Sequence, residues 1–153
     1  MYKKILVPLD GSDLAECVLP HVGSITRGCG VESVVFMRVL DPYVPSGTLA
    51  YIGESQRQKI EVANENAARE YLDVVVGRVD LRGVEIQKQI ITGRAAESIA
   101  DYATENGVDL IIIATHGRSG VSRWVWGSVA DRVLRSASVP VLMVRAPGCV
   151  PGI

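Results

Sequence analysis

Short apolar segments alternate along this chain with longer segments in which apolar residues recur every three or four positions. The short segments predict five β-strands, at residues 4–9, 31–40, 84–92, 109–113 and 139–145. The segments between them predict four helices, at residues 13–28, 54–76, 93–103 and 129–134. This alternation predicts an α/β, Rossmann-like fold: a single open five-stranded parallel sheet in the order 3-2-1-4-5, with helices on both faces.

The first helix carries two local signals. Asp13 and Glu16 have the spacing of a capping box, which predicts that the helix begins at Asp13. Pro20 falls inside the helical pattern and predicts a bend there, because proline lacks the N–H that the helix would use.

Length and composition narrow the class of protein. The 153 residues predict one domain, at residues 1–146, followed by a short tail at 147–153. The net charge of −1 supplies no bulk positive field for nucleic acid or an anionic membrane. No apolar segment is long enough to span a bilayer, and the amino terminus has no signal-peptide pattern, so we expect a cytoplasmic protein. The three cysteines are widely spaced and form no CxxC pair, which argues against a disulfide framework or a zinc site.

Two loops should meet at one crevice of this fold. Ligands of open α/β sheets bind beyond the carboxyl ends of the strands, where the strand order reverses. In the order 3-2-1-4-5 this point lies between strands one and four, which brings together the loops at residues 9–12 and 114–117. The second loop is glycine-bearing and leads into the last helix, so its N–H groups and the helix N-terminus suit a phosphate.

The glycine-bearing loop also has a simpler explanation. Gly117 would let the backbone approach a phosphate, and Gly127 and Ser128 would present N–H groups and a hydroxyl. Alternatively, Gly117 only makes a turn, and Ser128 only caps the helix, with Asp131 three residues further on. Neither GxxxxGK[ST] nor GxGxxG is present, which argues against a P-loop and a dinucleotide fold.

Three stretches together resemble the universal stress protein family: ILVPLDGS at residues 5–12, THGRSG at 115–120 with the Gly127-Ser128 pair, and VPVLMV at 139–144. The resemblance extends over residues 3–145. The ATP-binding branch of that family carries a glycine, two residues, a second glycine, nine residues, and then glycine with serine or threonine. This chain matches at Gly117 and at Gly127-Ser128, whereas Ala114 stands at the first glycine position.

Ala114 leaves two possibilities for that motif. If the backbone there needs a positive φ, a Cβ would strain it; if only close approach matters, one methyl group is tolerated. Because the other matching positions are intact, we expect ATP binding, with Mg²⁺ accompanying the nucleotide.

The resemblance also implies a set of contacts. Asp10 would bind the ribose hydroxyls or the Mg²⁺ ion, Val39 would line the adenine pocket, and Pro8 and Ile113 would pack near the base. Without the resemblance, Val39, Pro8 and Ile113 are better explained as core residues. The remaining expected nucleotide contacts are Ala114, His116, Gly117, Arg118, Gly127, Ser128 and Val129.

The resemblance implies a small cytoplasmic ATP-binding regulator that acts as a sensor. The alternative is a family member that has lost nucleotide binding and works through protein–protein contacts, for which Ala114 is the main support. A phosphoacceptor receiver is excluded, because Thr92 and Arg145 stand where that fold needs an aspartate and a lysine. A flavodoxin-like FMN protein is excluded by the acidic turn after strand one.

No catalytic pair is visible around His116 or His21, so we expect at most very slow ATP hydrolysis. The last strand, Val139 to Arg145, should lie at the sheet edge and is almost wholly apolar. The resemblance implies a homodimer formed through this strand.

Overall fold

Five strands form one parallel sheet in the computed structural model, which describes residues 2–42, 53–115 and 128–145. The strands are β1 (Lys4–Pro8), β2 (Ser33–Leu40), β3 (Glu85–Thr92), β4 (Leu110–Thr115) and β5 (Val141–Arg145). The helices are α1 (Leu19–Cys29), α2 (Glu54–Arg78), α3 (Ala95–Glu105) and α4 (Ser128–Ser136). The sheet order is β3-β2-β1-β4-β5, which confirms the predicted topology and places β5 at an edge.

Helices cover both faces of the sheet, because successive strand residues point to opposite sides. Ile5 and Val7 of β1 pack with α1 and α2 on one face. Leu6, between them, packs with α3 and α4 on the other. Both faces of the central strands are therefore buried, which explains why their sequences are continuously apolar rather than alternating.

The start of the first helical segment differs from the prediction. A 3₁₀-helix, Ala15–Val18, precedes α1, and no capping box forms at Asp13. Instead, the Ser12 hydroxyl accepts a hydrogen bond from the Ala15 N–H at 3.2 Å. Pro20 lies in the first turn of α1 rather than in a helix interior, where its missing N–H costs no hydrogen bond. The proline therefore marks the junction of two helices instead of a bend in one.

The helix α2 begins at Glu54 as predicted and ends two residues later than predicted, at Arg78. Its buried residues, Ala68, Leu72 and Val75, all lie in its second half. Ile60, which belongs to the apolar pattern, is 36% exposed. The periodicity therefore predicts the helix correctly but not the length that packs on the sheet.

The last two strands also differ in their bounds. β4 continues to Thr115, two residues beyond the predicted end, and pairs with β5 as far as Thr115 opposite Arg145. β5 begins at Val141 rather than at Val139. Pro140 still accepts a hydrogen bond from the Ile111 N–H at 3.0 Å through its carbonyl, but it has no N–H to donate.

Candidate functional site

A cleft of about 240 Å³ opens at the carboxyl edge of the sheet, where the strand order reverses between β1 and β4. Residues that follow or end β1, β2 and β4 line it, together with the first residues of α3 and α4. In a parallel sheet these strand ends and helix starts lie at one edge, so segments far apart in the chain meet there. The full lining is Pro8, Leu9, Asp10, Ala15, Arg38, Val39, Ala95, Ile99, Ile113, Ala114, Val129 and Ala130.

Six of the predicted contact residues meet in this cleft: Pro8, Asp10, Val39, Ile113, Ala114 and Val129. His116, Gly117, Arg118 and Gly127 lie outside the described residues. Ser128 is the first residue of α4, and nothing beyond its backbone is described. His21 is exposed on α1 and does not line the cleft.

Ala114 lies within β4 rather than in the loop that was expected to carry it. It stands opposite Val144 in the parallel ladder between β4 and β5. Residues of a parallel strand have a negative φ, so the backbone here is one that any L-residue adopts. The first of the two possibilities for Ala114, a left-handed backbone strained by a Cβ, is therefore wrong.

The turn after β1 orients Asp10. The ladder between β1 and β2 continues with the Leu9 N–H donating to the Met37 carbonyl at 2.8 Å, and Asp10 follows directly. Its Oδ1 accepts hydrogen bonds from the N–H and the hydroxyl of Ser12, at 2.9 and 2.6 Å. Gly11 has φ +86°, a conformation that favours glycine. The carboxylate is thus held in one orientation by the turn, and Asp10 lines the cleft.

Arg38 is a lining residue that the sequence reasoning missed. It interrupts the otherwise apolar run of β2, SVVFMRVL, close to the carboxyl end of the strand. A single charged residue at the ligand-binding end of a buried strand was the available signal. Ala95 and Ile99, which also line the cleft, had no such signal, because their pattern is that of any amphipathic helix.

A phenol lies near the two charged lining residues. Tyr71 of α2 has a buried hydroxyl. Burial raises the pKa of Tyr71 well above its ordinary value, and the negative charges of Glu16 and Asp10 raise it further, while Arg38 opposes them. Tyr71 is therefore neutral at physiological pH and can only act as a hydroxyl. The Glu16 carboxylate forms an ion pair with Arg78 at 3.1 Å.

The cleft is lined by apolar and by charged residues. Val39, Ile113 and Val129 supply an apolar surface, and Asp10 and Arg38 supply one negative and one positive charge. The N-termini of α3 and α4 also open onto the cleft and add partial positive charge. This arrangement suits a ligand with a flat apolar part, hydroxyl groups and an anionic part.

Within residues 2–42, 53–115 and 128–145, no group of three or more His, Cys, Asp or Glu side chains could hold a metal ion. In the same ranges, no helix has both the length and the apolar character needed to cross a bilayer.

Comparison with known proteins identifies relatives over nearly the whole chain. Residues 1–145 match the model of the universal stress protein family. Universal stress protein MJ0531 of Methanocaldococcus jannaschii is 30% identical over 148 residues, which cover 96% of this chain and 84% of that protein.

Solved structures show the same fold. The structure of MJ0577, from the same organism, superposes with a TM-score of 0.78 at 28% identity and covers 97% of this chain and 99% of its own. A universal stress protein in complex with cAMP superposes with a TM-score of 0.65, covering 95% of this chain and 98% of its own. At 20% identity this second likeness supports the fold alone.

Proposed function

This chain belongs to the universal stress protein family, and from that premise we propose that it binds ATP in the cleft and acts as a sensor or regulator in a stress response rather than as a proficient enzyme. The observation that carries the proposal is the convergence of Pro8, Asp10, Val39, Ile113 and Val129 on one cleft. These residues come from four separate segments of the chain, and the family resemblance implies each of them as a nucleotide contact.

The cleft offers a chemical match for each part of the nucleotide. Val39, Ile113 and Val129 would contact the adenine, because a flat base is stabilised by apolar surface on its faces. Asp10 would accept hydrogen bonds from the ribose hydroxyls. The phosphates would extend towards the N-terminus of α4, at Ser128, where the N–H groups of the first helical turn and the helix dipole favour an anion.

The glycine-bearing loop would complete this phosphate site. Its expected contacts, His116, Gly117, Arg118 and Gly127, follow from the family resemblance and from their place between β4 and α4. Mg²⁺ would come with the nucleotide, since this ion is usually bound by phosphate oxygens together with one or two carboxylates. Asp10 is the carboxylate that lines the cleft.

The further parts of the proposal concern assembly and location. We propose a homodimer through the edge strand, from Val139 to Arg145, because β5 ends the sheet order and is apolar from Val141 to Val144. We also propose that the domain occupies residues 1–146 and that the protein is cytoplasmic. The net charge of −1 supplies no bulk positive field for nucleic acid or an anionic membrane.

A second candidate function is regulation through protein contacts without nucleotide. Ala114 favours it, because its methyl group lines the cleft where ATP-binding relatives carry glycine. The strand conformation at position 114 weakens this alternative, since alanine in place of the family's glycine brings no backbone strain there.

The two candidates separate in a direct binding experiment. Native mass spectrometry of gently purified protein should show co-purifying adenine nucleotide, and calorimetric titration with Mg-ATP should show one site per chain. Val39→Trp would fill the cleft and should abolish binding. Val62→Trp is the matched control, because Val62 is 57% exposed on α2 and does not line the cleft.

Retained ATP binding in Val39→Trp, with both variants folded by thermal unfolding, would show that the ligand binds elsewhere. No nucleotide binding to the wild-type protein would favour the second candidate.

A further inference from the structure

Thr115 and Arg145 are neighbours at the carboxyl edge of the sheet. They stand opposite each other at the end of the parallel ladder between β4 and β5. Successive strand residues point to opposite faces, and Ile113 and Met143, two residues earlier on each strand, belong to the core cluster that packs with α3 and α4. The side chains of Thr115 and Arg145 therefore project from the face of the sheet that these two helices cover.

The N-terminus of α4 lies at the same edge and over the same face. The chain enters α4 after β4 and leaves it towards the start of β5, so the helix begins at the carboxyl edge, at Ser128, and ends at the amino edge. The residues next to Thr115 and Ser128 in the chain, Ala114 and Val129, line the cleft. Thr115, Arg145 and the first turn of α4 thus border one position beside the cleft.

Both polar side chains at this position lack a partner in the part of the chain that the structure describes. Thr115 is only 7% exposed, and its hydroxyl makes no hydrogen bond to another described residue. Arg145 is exposed and forms no ion pair with a described residue. A buried hydroxyl without a partner costs free energy, and a cation near a helix N-terminus meets the positive end of the helix dipole. An anion bound there would stabilise both groups.

The place of Arg145 in the strand order indicates which part of a nucleotide it would meet. Val39, the proposed adenine contact, lies near the end of β2, and the strands follow from there in the order β2-β1-β4-β5. Neighbouring strands are about 4.8 Å apart, so β2 and β5 are separated by about 14 Å. A ligand that contacts both strands must carry anionic groups far from its base, as a nucleoside triphosphate does and a monophosphate does not.

We propose that Arg145 and Thr115 bind the terminal phosphates of the nucleotide and select a nucleoside triphosphate over a monophosphate. The proposal rests on the proposed ATP binding and extends its contacts to β5. A guanidinium presents its N–H donors in a planar fork that matches phosphate oxygens, and the threonine hydroxyl donates one further hydrogen bond. Hydrogen bonds between charged groups are roughly twice as strong as those between neutral groups.

The test compares two variants of the whole chain with two ligands. Arg145→Met keeps much of the side-chain length and removes the charge, whereas Thr115→Val keeps the shape and removes the hydroxyl. In calorimetric titrations, Arg145→Met should weaken binding of Mg-ATP by roughly tenfold or more, and Thr115→Val by roughly threefold or more. Neither variant should change the affinity for AMP, which lacks the terminal phosphates. Arg145→Lys, which keeps the charge without the fork, should recover part of the ATP affinity.

Arg82→Met is the matched control for the change in charge. Arg82 precedes β3 and therefore lies at the amino edge of the sheet, where its 91% exposed side chain pairs with Asp80. Its loss should leave both affinities unchanged. Thr115→Val separates phosphate binding from assembly, because Arg145 belongs to the strand proposed for the dimer and Thr115 does not.

Several results overturn the proposal. Equal losses for ATP and AMP in either variant would mean that the residue acts on the adenosine part or on the fold. Unchanged ATP affinity in Arg145→Met would leave the arginine without a role in binding, and equal wild-type affinities for ATP and AMP would exclude selection by the terminal phosphates. In each of these cases the proposed ATP binding would stand. Absence of binding of either ligand to the wild-type protein would overturn this proposal and the proposed function together.

Discussion

Ala114 lies directly opposite Val144 in the parallel ladder between β4 and β5. Its backbone is extended, so replacing it with glycine relieves no strain and removes only one methyl group from the cleft. We expect Ala114→Gly to change the free energy of ATP binding by ~1 kcal/mol or less, which is within about sixfold in affinity. The variant should also lose roughly 0.5–1 kcal/mol of folding stability, because glycine is unfavourable inside a strand.

Isothermal titration of Ala114→Gly with Mg-ATP, beside chemical unfolding, measures both effects. A gain in affinity of a hundredfold or more, on the order of 3 kcal/mol, would contradict an extended backbone at position 114.

Met143 tests the proposed dimer. The Pro140 carbonyl points towards β4, because it accepts from the Ile111 N–H. Residues alternate along a strand, so the N–H of Leu142 also faces β4 and that of Met143 faces the open edge. Met143→Pro should therefore keep the ladder to β4 and prevent β5 from pairing with a second copy.

Light scattering at micromolar concentration should give a dimer mass for the wild type and a monomer mass for Met143→Pro, with unchanged far-ultraviolet circular dichroism. Leu142→Pro, which removes a ladder donor facing β4, should instead destabilise the fold. A wild-type monomer would disprove the dimer, and a folded Met143→Pro dimer would place its interface elsewhere.

Asp109 stabilises the amino-terminal ends of the central strands, on the side of the sheet away from the cleft. Its Oδ2 accepts hydrogen bonds from the backbone N–H groups of Lys4, at 2.8 Å, and Lys3, at 2.7 Å. These two bonds lower the pKa of Asp109. A carboxylate with a lowered folded-state pKa contributes stability that is complete above its unfolded-state pKa and is lost as the pH falls through the folded-state value.

Asp109→Asn should therefore reduce the free energy of unfolding by about 1–2 kcal/mol at neutral pH, and the difference from the wild type should shrink in acid, below about pH 4. Urea unfolding of both proteins between neutral pH and acid measures this difference in the free energy of unfolding. Asp80→Asn is the control: Asp80 pairs with the exposed Arg82, and exposed pairs contribute only about 0–1 kcal/mol. A constant difference between Asp109→Asn and the wild type at all pH values would contradict the assignment.

Slow hydrolysis is expected of the proposed site. Phosphoryl transfer is accelerated by positioning and by positive charge around the transferring group. This chain has no P-loop lysine, and an ion without an aligned nucleophile supplies only part of the stabilisation. Phosphate release from saturating Mg-ATP should take minutes or longer per turnover. Steady turnover on the order of 1 s⁻¹ that Val39→Trp abolishes would make this protein an enzyme.

The alternation of apolar and amphipathic segments was sufficient to predict the element order and a parallel sheet with helices on both faces. Buried parallel strands need continuous apolar residues, and right-handed crossovers leave few ways to arrange five of them. The same reasoning located the cleft, since the strand order alone decides where the reversal lies. The expected contacts came instead from the family resemblance, and six of them, Asp10 and Val39 among them, line that cleft.

Only the tertiary structure decided the strand ends, the hydrogen bonds of the turn after β1 and the full set of residues that line the cleft. The predicted end of β4 was wrong, because its pairing with β5 continues to Thr115. Ser12 rather than Asp13 meets the N–H of Ala15, because the turn after Gly11 sets which oxygen is within reach. Arg38 joined the site for the same kind of reason: β1 and β2 pair in parallel as far as Pro8 opposite Met37, which no single segment encodes, and the residues that follow them, Leu9 and Arg38, both line the cleft.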